Sequence, residues 1–366
     1  MEKAKVYFTD MRANYSSNML TKLKHLIEKS GLADIDLKGK FVALKVHFGE
    51  YGNLAFIRPN YIKVVADYIK EKGGIPFITD ASTLYSGTRS DAISHIHTAE
   101  LNGFNETTTG CPIIIADGLR GNDYKEIEVN LKHCSTVKIG TAITEADIII
   151  SLSHFKGHEQ AGFGGTLKNI GMGCGSKLGK LEMHSGIKPN INEELCIACG
   201  LCAKNCNQKA IHIENKAVID HHKCVGCGEC IVVCPRKAVT QKEENQSKML
   251  NEKIVEYVYG TLKDKPHFHI NFIMNISPDC DCFPANDMPI VPDIGIVASF
   301  DPVAIDMASA DLVNAAPVIE TSILGEKNHE HEHDKFKCIH ANVDWESGLD
   351  YAEELKMGTK KYELIR

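Results

Sequence analysis

The stretch Cys196-Ile197-Ala198-Cys199-Gly200-Leu201-Cys202-Ala203-Lys204-Asn205-Cys206 decides the organisation of this chain. It is answered further on by Cys224-Val225-Gly226-Cys227-Gly228-Glu229-Cys230-Ile231-Val232-Val233-Cys234-Pro235. Each run places two residues between its first three cysteines and three before the fourth, the spacing of bacterial two-cluster ferredoxins. The flanks repeat as well: Lys209-Ala210-Ile211 answers Lys237-Ala238-Val239 at the same offset of 28 positions, so the pair is an internal duplication. Three closely spaced thiolates wrap three corners of one 4Fe-4S cube and the fourth cysteine reaches the other cube. The expected ligand sets are therefore crossed: Cys196, Cys199, Cys202 and Cys234 on one cluster, Cys224, Cys227, Cys230 and Cys206 on the other. Ala198, Gly200, Gly226 and Gly228 are small enough to let backbone amides approach the sulfurs. Asn207 stands where the pattern expects the proline that Pro235 supplies in the second run. A pair of zinc sites is the competing reading, and eight cysteines in this order favour iron.

Outward from this unit, the chain has 366 residues, room for two or three domains with a sizeable core. An apolar fraction of 43% and a charged fraction of 24% exclude a mostly disordered or fibrous chain. The net charge of −7 gives no global positive field for nucleic acid or an anionic membrane, and bound clusters would add negative charge. Aromatic residues, 7% of the chain, form no stacking stripe for single strands. No apolar run reaches the roughly 18 residues of a membrane span, and the first ten residues carry charges where a signal peptide is apolar. The expectation is a cytoplasmic protein without nucleic-acid or membrane partners. Fourteen cysteines in such a compartment read as ligands rather than disulfides.

The flanks alternate short apolar β-rich runs (41–46, 75–79, 112–116, 147–152, 268–276, 294–298) with helical stretches (17–30, 58–72, 88–101, 247–262, 302–313). Strand-helix alternation implies an α/β fold with a largely parallel sheet. The sheet would be assembled from both halves of the chain, 1–189 and 242–366, with an α+β ferredoxin-like two-cluster domain inserted at 190–241. Ligands of such sheets gather beyond the carboxyl ends of the strands. There the sequence places Lys45 and His47-Phe48-Gly49-Glu50, Asp80, Asp117, His154-Phe155-Lys156-Gly157-His158, Ser277-Pro278-Asp279-Cys280-Asp281-Cys282, and Asp301.

With these go Gly162-Phe163-Gly164-Gly165-Thr166-Leu167-Lys168-Asn169, Gly171-Met172-Gly173-Cys174 and Asp301-Pro302-Val303-Ala304-Ile305-Asp306. On those residues the chain resembles the family of the domain of unknown function 362, iron-sulfur proteins in which a ferredoxin pair often accompanies an α/β domain. The resemblance spans most of the chain and implies clusters without implying a substrate.

Among the other cysteines, Cys280 and Cys282 are too close in sequence to bridge readily but can face one soft metal, and Cys174 in a glycine-rich loop can join them. That makes a candidate third iron-sulfur cluster or metal ion, against packed, inert thiols. Residues 156–188 hold nine glycines, five lysines and two acids, read either as an anion pocket using Lys156, Lys168, Lys177 and Lys180 or as a solvated loop. The order of residues fits neither a P-loop nor a dinucleotide fingerprint. His329-Glu330-His331-Glu332-His333-Asp334 reads as a charged surface loop, and Asp301 and Asp306 as a helix cap and a supporting partner.

The leading functional expectation is an oxidoreductase: an electron-donor protein such as ferredoxin or flavodoxin reduces the two 4Fe-4S clusters, which relay single electrons to a strand-end site. There His47, His154 and His158 act as proton donors, and Lys45, Lys156 and Lys168 bind a small anionic substrate. The alternatives are a non-catalytic ferredoxin-type carrier and a non-redox hydrolase or lyase with structural clusters.

Overall fold

The computed structural model describes the chain except residues 1–2, 86, 185–188, 207, 227–228, 237, 242–243 and 328–332. Cys227, Asn207, Lys237 and the 329–332 part of the histidine-rich run thus lie outside the described residues. The fold is mixed α/β around an eight-stranded sheet. Its spatial order is Tyr362–Ile365, Ala4–Asp10, Gly295–Ser299, His267–Ile273, Ile148–His154, Phe41–Lys45, Ile75–Asp80 and Ile113–Ile115. Both halves of the chain contribute strands. Only Gly295–Ser299 runs against its neighbours; every other pairing in the sheet is parallel.

The Ile148–His154 strand is buried along its whole length, as expected for a central parallel strand covered on both faces, and its start is an unbroken Ile148-Ile149-Ile150 run rather than an alternation. Its side chains still divide by the period of two. Ile149 joins a core closed by the Thr166–Cys174, Glu244–Leu262 and Pro302–Ala315 helices, while Ile148, Ile150 and Leu152 join one closed by Met19–Lys29 and Pro59–Glu71. Helix starts follow local chemistry. Asn18 and Asp301 accept from the free amides of the first turn, and Pro59 and Pro302 occupy first-turn positions where no amide proton is needed.

Two terminal strands escape the sequence reading: Ala4–Asp10 and Tyr362–Ile365 pair in parallel with each other at the sheet's edge. The edge position leaves them mostly half-buried, so their apolar signal is weak. The reversed strand moves Asp301 to the opposite edge from the other strand-end residues. There Asp301 caps a helix and accepts from the Thr359 amide. Asp306 instead sits under the glycine-rich segment, accepting from the amides of Thr166 and Leu167 and from Asn271. It thereby satisfies the start of the Thr166–Cys174 helix.

The glycine-rich segment is not a solvated loop. It folds as two short strands, Lys156–His158 and Gly162–Gly164, and two helices, Thr166–Cys174 and Lys177–His184. Its glycines permit close backbone contact: a Cβ on Gly171 would lie 2.3 Å from the Ile254 carbonyl oxygen, and one on Gly157 would lie 2.1 Å from that of Pro278. The ferredoxin-like unit leaves and rejoins the chain at one point, where Pro189–Ile191 pairs antiparallel with Val239–Gln241. Among the described residues no helix is long and apolar enough to cross a membrane.

Candidate functional site

Two features carry chemistry: a pair of cysteine-lined cavities in the inserted unit, and a polar cleft at the carboxyl edge of the sheet. In the unit, Cys196, Cys199, Cys202 and Cys234 line one cavity of about 340 Å³. Cys206, Cys224 and Cys230 line another of about 340 Å³. The crossed partition expected from spacing is thus the partition of the described cysteines between the two cavities. The pseudo-repeat extends to the backbone. The Ala210 amide donates to Cys206 Sγ (3.3 Å), and its counterpart Ala238 donates to Cys234 Sγ (3.2 Å). Ala198 (φ 53°) and Gly226 (φ 76°) occupy equivalent left-handed positions after the first cysteine of each run. The Gly226 amide reaches Cys224 Sγ (3.4 Å). Amides of Ala217 and Ala198 pull the Cys196 thiol below its ordinary pKa.

Among the described residues, no three His, Cys, Asp or Glu side chains converge on a point that would grip a bare metal ion. Cysteines surrounding a cavity, with amide donors at Cys196, Cys202, Cys206, Cys224 and Cys234, suit a cube with thiolates at its corners better than one zinc ion. The residues present therefore fit the group that the spacing implies.

The cleft, open to solvent, spans about 990 Å³ of space. Lys45, His47, His154, Lys156, His158, Lys168 and Lys180 line it, together with Cys280 and Cys282, while Lys177 of the expected anion pocket does not. Cys174 does not: it packs in the hydrophobic core, and burial pushes its thiol up to about 12. The three-cysteine metal site is therefore not assembled.

Cys280 and Cys282 meet for a local reason. The Phe283 amide donates to the Cys280 carbonyl (3.2 Å), closing a turn that brings the two sulfurs to 2.9 Å. Sequence distance alone had suggested that they could not readily bridge. Asp281, between them, points away from this pair. Its carboxylate accepts from His154 Nδ1 (2.8 Å) and faces Lys156 (3.7 Å), while its carbonyl accepts from the Glu50 amide. Two thiolates on one tetrahedral zinc would stand about 3.7 Å apart, and nearby cations oppose a metal further.

Those cations are Lys168, whose Nζ is 3.9 Å from Cys280 Sγ, and Arg89, whose Nη1 is 3.0 Å from His47 Nε2. His47 Nδ1 accepts from the Gly49 amide, and its Nε2 faces both Arg89 Nη1, which can only donate, at 3.0 Å and Cys282 Sγ at 3.5 Å, so the imidazole is hemmed by donors on both ring nitrogens. The hydrogen bond from Cys280, opposed by burial and assisted by His47 and Lys168, draws the Cys282 thiol well below its usual pKa. Cys280, donating that bond and buried, is pushed well above. The two thiols are electrostatically unequal.

The other expected roles divide. Lys45 is committed to Asp80 (2.9 Å) and Asn169 (2.8 Å). Burial would raise Asp80, but Lys45, His47, His95 and Arg89 together hold it well below the carboxylate range. Lys156 reaches the His154 carbonyl and Asp281. His154 has acceptors at both ring nitrogens, Asp281 and the Met274 carbonyl, so it braces the Cys280–Cys282 turn instead of serving a substrate. His158 Nδ1 accepts from the Gln160 and Ala161 amides, and burial followed by Lys168 depresses its pKa strongly. It is a neutral donor through Nε2. Among the described cleft lysines, Lys168 and Lys180 make no carboxylate ion pair within 4 Å. Lys180 donates to the Gly175 carbonyl, leaving Lys168 beside the sulfurs as the cation best placed for an anion.

Sequence reasoning missed Arg89, Tyr85, His184 and Glu229 in this cleft. Arg89 bonds Glu50 and Tyr85 while buried; its signal was its place just beyond the 75–80 strand. Glu229 is more consequential. It precedes Cys230, lines the Cys206/Cys224/Cys230 cavity, and also lines the cleft. Burial, with Cys282 and Glu50 nearby, raises its carboxyl to about 7. His184, another cleft residue, bonds the Gly226 backbone of the second cysteine loop, and burial drops it to about 4.

The family model described as Domain of unknown function (DUF362) matches residues 42–311. No curated protein matches the chain. Among solved structures, the lactate racemase apoprotein from Thermoanaerobacterium thermosaccharolyticum is similar at 12% identity and a TM-score of 0.35, over 74% of this chain and 51% of that one. A protein from Thermotoga maritima is similar at 13% and 0.38, over 76% and 54%. The chain spans about half the length of each, and likeness at this level carries no argument about reaction. The family match establishes that the chain belongs to the DUF362 family.

Proposed function

For this member of the DUF362 family we propose an iron-sulfur oxidoreductase in which the inserted unit holds two 4Fe-4S clusters and delivers single electrons to the sheet-edge cleft. The observation that carries the reading is Glu229, one residue that lines both the second cysteine cavity and the cleft. When bound, the clusters supply reversible one-electron storage at potentials set by charge, amide donors and exposure. Cys196, Cys199, Cys202 and Cys234 hold one, and Cys206, Cys224, Cys227 and Cys230 the other. The amides of Ala210, Gly226 and Ala238 stabilise thiolate charge at the sulfurs they reach. Electrons enter from a protein donor of the ferredoxin or flavodoxin class. In the cleft, Lys168 orients a small anionic substrate, with His158 beside it as a neutral proton donor. A non-catalytic carrier would need no buried, charge-compensated cleft against its second cluster.

Reductive titration of anaerobically purified protein, followed by electron paramagnetic resonance, tests this. Two reducible clusters are expected, with Glu229→Gln moving the midpoint of one. Protein with no reducible cluster, or a Glu229→Gln variant with both midpoints unchanged, overturns the proposal.

A further inference from the structure

The paired sulfurs at Cys280 and Cys282 have no use in an electron relay that ends on a simple substrate. They share one turn, face the cleft, and stand 2.9 Å apart against roughly 2.05 Å for a disulfide bond. Their surroundings differ in kind. Cys282 receives the Cys280 thiol and the Tyr85 hydroxyl and lies 3.5 Å from His47 Nε2, while Cys280 lies beside Lys168. One sulfur is thus set as thiolate and the other keeps its proton, the division of labour of an attacking and a resolving thiol.

We propose that Cys280 and Cys282 form a thiol–disulfide couple that reduces a small, anionic disulfide in the cleft, reopened by two single electrons arriving through the ferredoxin-like unit. The last clause rests on the function proposed above.

Cys282 Sγ attacks one sulfur of the substrate; the bond between the substrate sulfurs breaks, and the departing thiolate takes a proton. Cys280 then loses its proton and attacks Cys282 Sγ, forming the internal bridge and releasing the second thiolate, which takes that proton. The substrate has gained two electrons and two protons; the couple has lost two electrons and the Cys280 proton, and solvent has supplied the proton taken by the first thiolate to leave. Two electrons from a low-potential one-electron donor and one proton from solvent restore the thiol–thiolate pair. Lys168 stabilises negative charge on the sulfurs throughout, and a negatively charged substrate is drawn to it.

The test treats the anaerobic full-chain holoprotein with 5,5′-dithiobis(2-nitrobenzoate), blocks remaining thiols with iodoacetamide, and maps peptides by mass. The Cys280–Cys282 peptide should carry no label and be two hydrogens lighter than the dithiol. Cys111, Cys134 and Cys174, whose thiols burial pushes to about 11, 12 and 12, are slow-reacting controls. Cys280→Ser should trap nitrothiobenzoate on Cys282, whereas Cys282→Ser should label Cys280 at least about tenfold more slowly at pH 7. Both cysteines of the wild type alkylated separately, or equal labelling rates in the two variants, overturns the couple, whatever the clusters do. Reduced methyl viologen should then reopen the bridge as the reduced-cluster signal disappears. Clusters that reoxidise while the bridge stays closed would instead overturn the electron relay and leave the couple standing.

Discussion

The inserted unit and the sheet-edge cleft assemble their chemistry by opposite routes. In the unit, the residues of each cysteine cavity come from a duplicated run whose spacing specifies its geometry. In the cleft, Lys45, Arg89, His154, Lys168 and Cys282 come from separate segments of the chain and neutralise one another as much as they present groups outward. The first is a set of sulfurs grouped around two cavities. The second is a nearly closed set of ion pairs, with His158 Nε2 facing Glu159 at 3.5 Å, that leaves Cys282, Cys280 and Lys168 as its least committed groups.

The sharpest way to break this contrast is Cys234→Ser. Sequence places Cys234 in the second run, but it lines the cavity of Cys196, Cys199 and Cys202. Anaerobic protein carrying it should lose the first-run cluster, roughly half its iron, and keep the spectrum of the other. Loss of the second-run signal alone would break the crossed arrangement.

Lys45→Met tests the closed character of the cleft. It leaves Asp80 buried without its nearest cation, at a cost of about 3–5 kcal/mol, visible as a lower midpoint in denaturant. A variant with unchanged stability would return Lys45 to the role of a free anion ligand.

Gly171→Ala probes the packing that holds the glycine-rich segment in place. Its Cβ would stand 2.3 Å from the Ile254 carbonyl oxygen, so a loss of about 1–3 kcal/mol is expected. No loss would mean that the segment moves freely.

The remaining effect belongs to Glu229, where the two regions touch, and it is read as a pH dependence. Its folded-state carboxyl titrates near 7 against an ordinary 4.5. Between those values the folded state holds a proton that the unfolded chain releases, so this group's contribution declines as pH rises from 4.5 to 7. Glu229→Gln should flatten that decline, making the variant relatively more stable at pH 8 than at pH 5 in thermal midpoints. A gap that does not change with pH would place Glu229 in water.

The sequence made the two regions unequally legible. Cysteine spacing anticipated how the described cysteines of the inserted unit group around its two cavities because the pattern is short and repeated. The strands were legible where they are central and wholly buried, as at Ile148-Ile149-Ile150, and lost at the half-exposed Ala4–Asp10 and Tyr362–Ile365 edge. In the cleft, position beyond a strand end identified His47, His154 and Lys45, but not what each would meet. His154 became a brace because Asp281 and the Met274 carbonyl claimed both its nitrogens, and Cys174 left the site because its helix turned it into the core. Such pairings are set by register between distant segments, which no single run of residues records. Arg89 and Glu229 escaped for the same reason.

The most direct measurement is iron and acid-labile sulfide per chain in protein purified without oxygen. The account predicts about eight of each, as two 4Fe-4S clusters require. Colourless protein, or protein holding zinc in place of iron and sulfide, would contradict it.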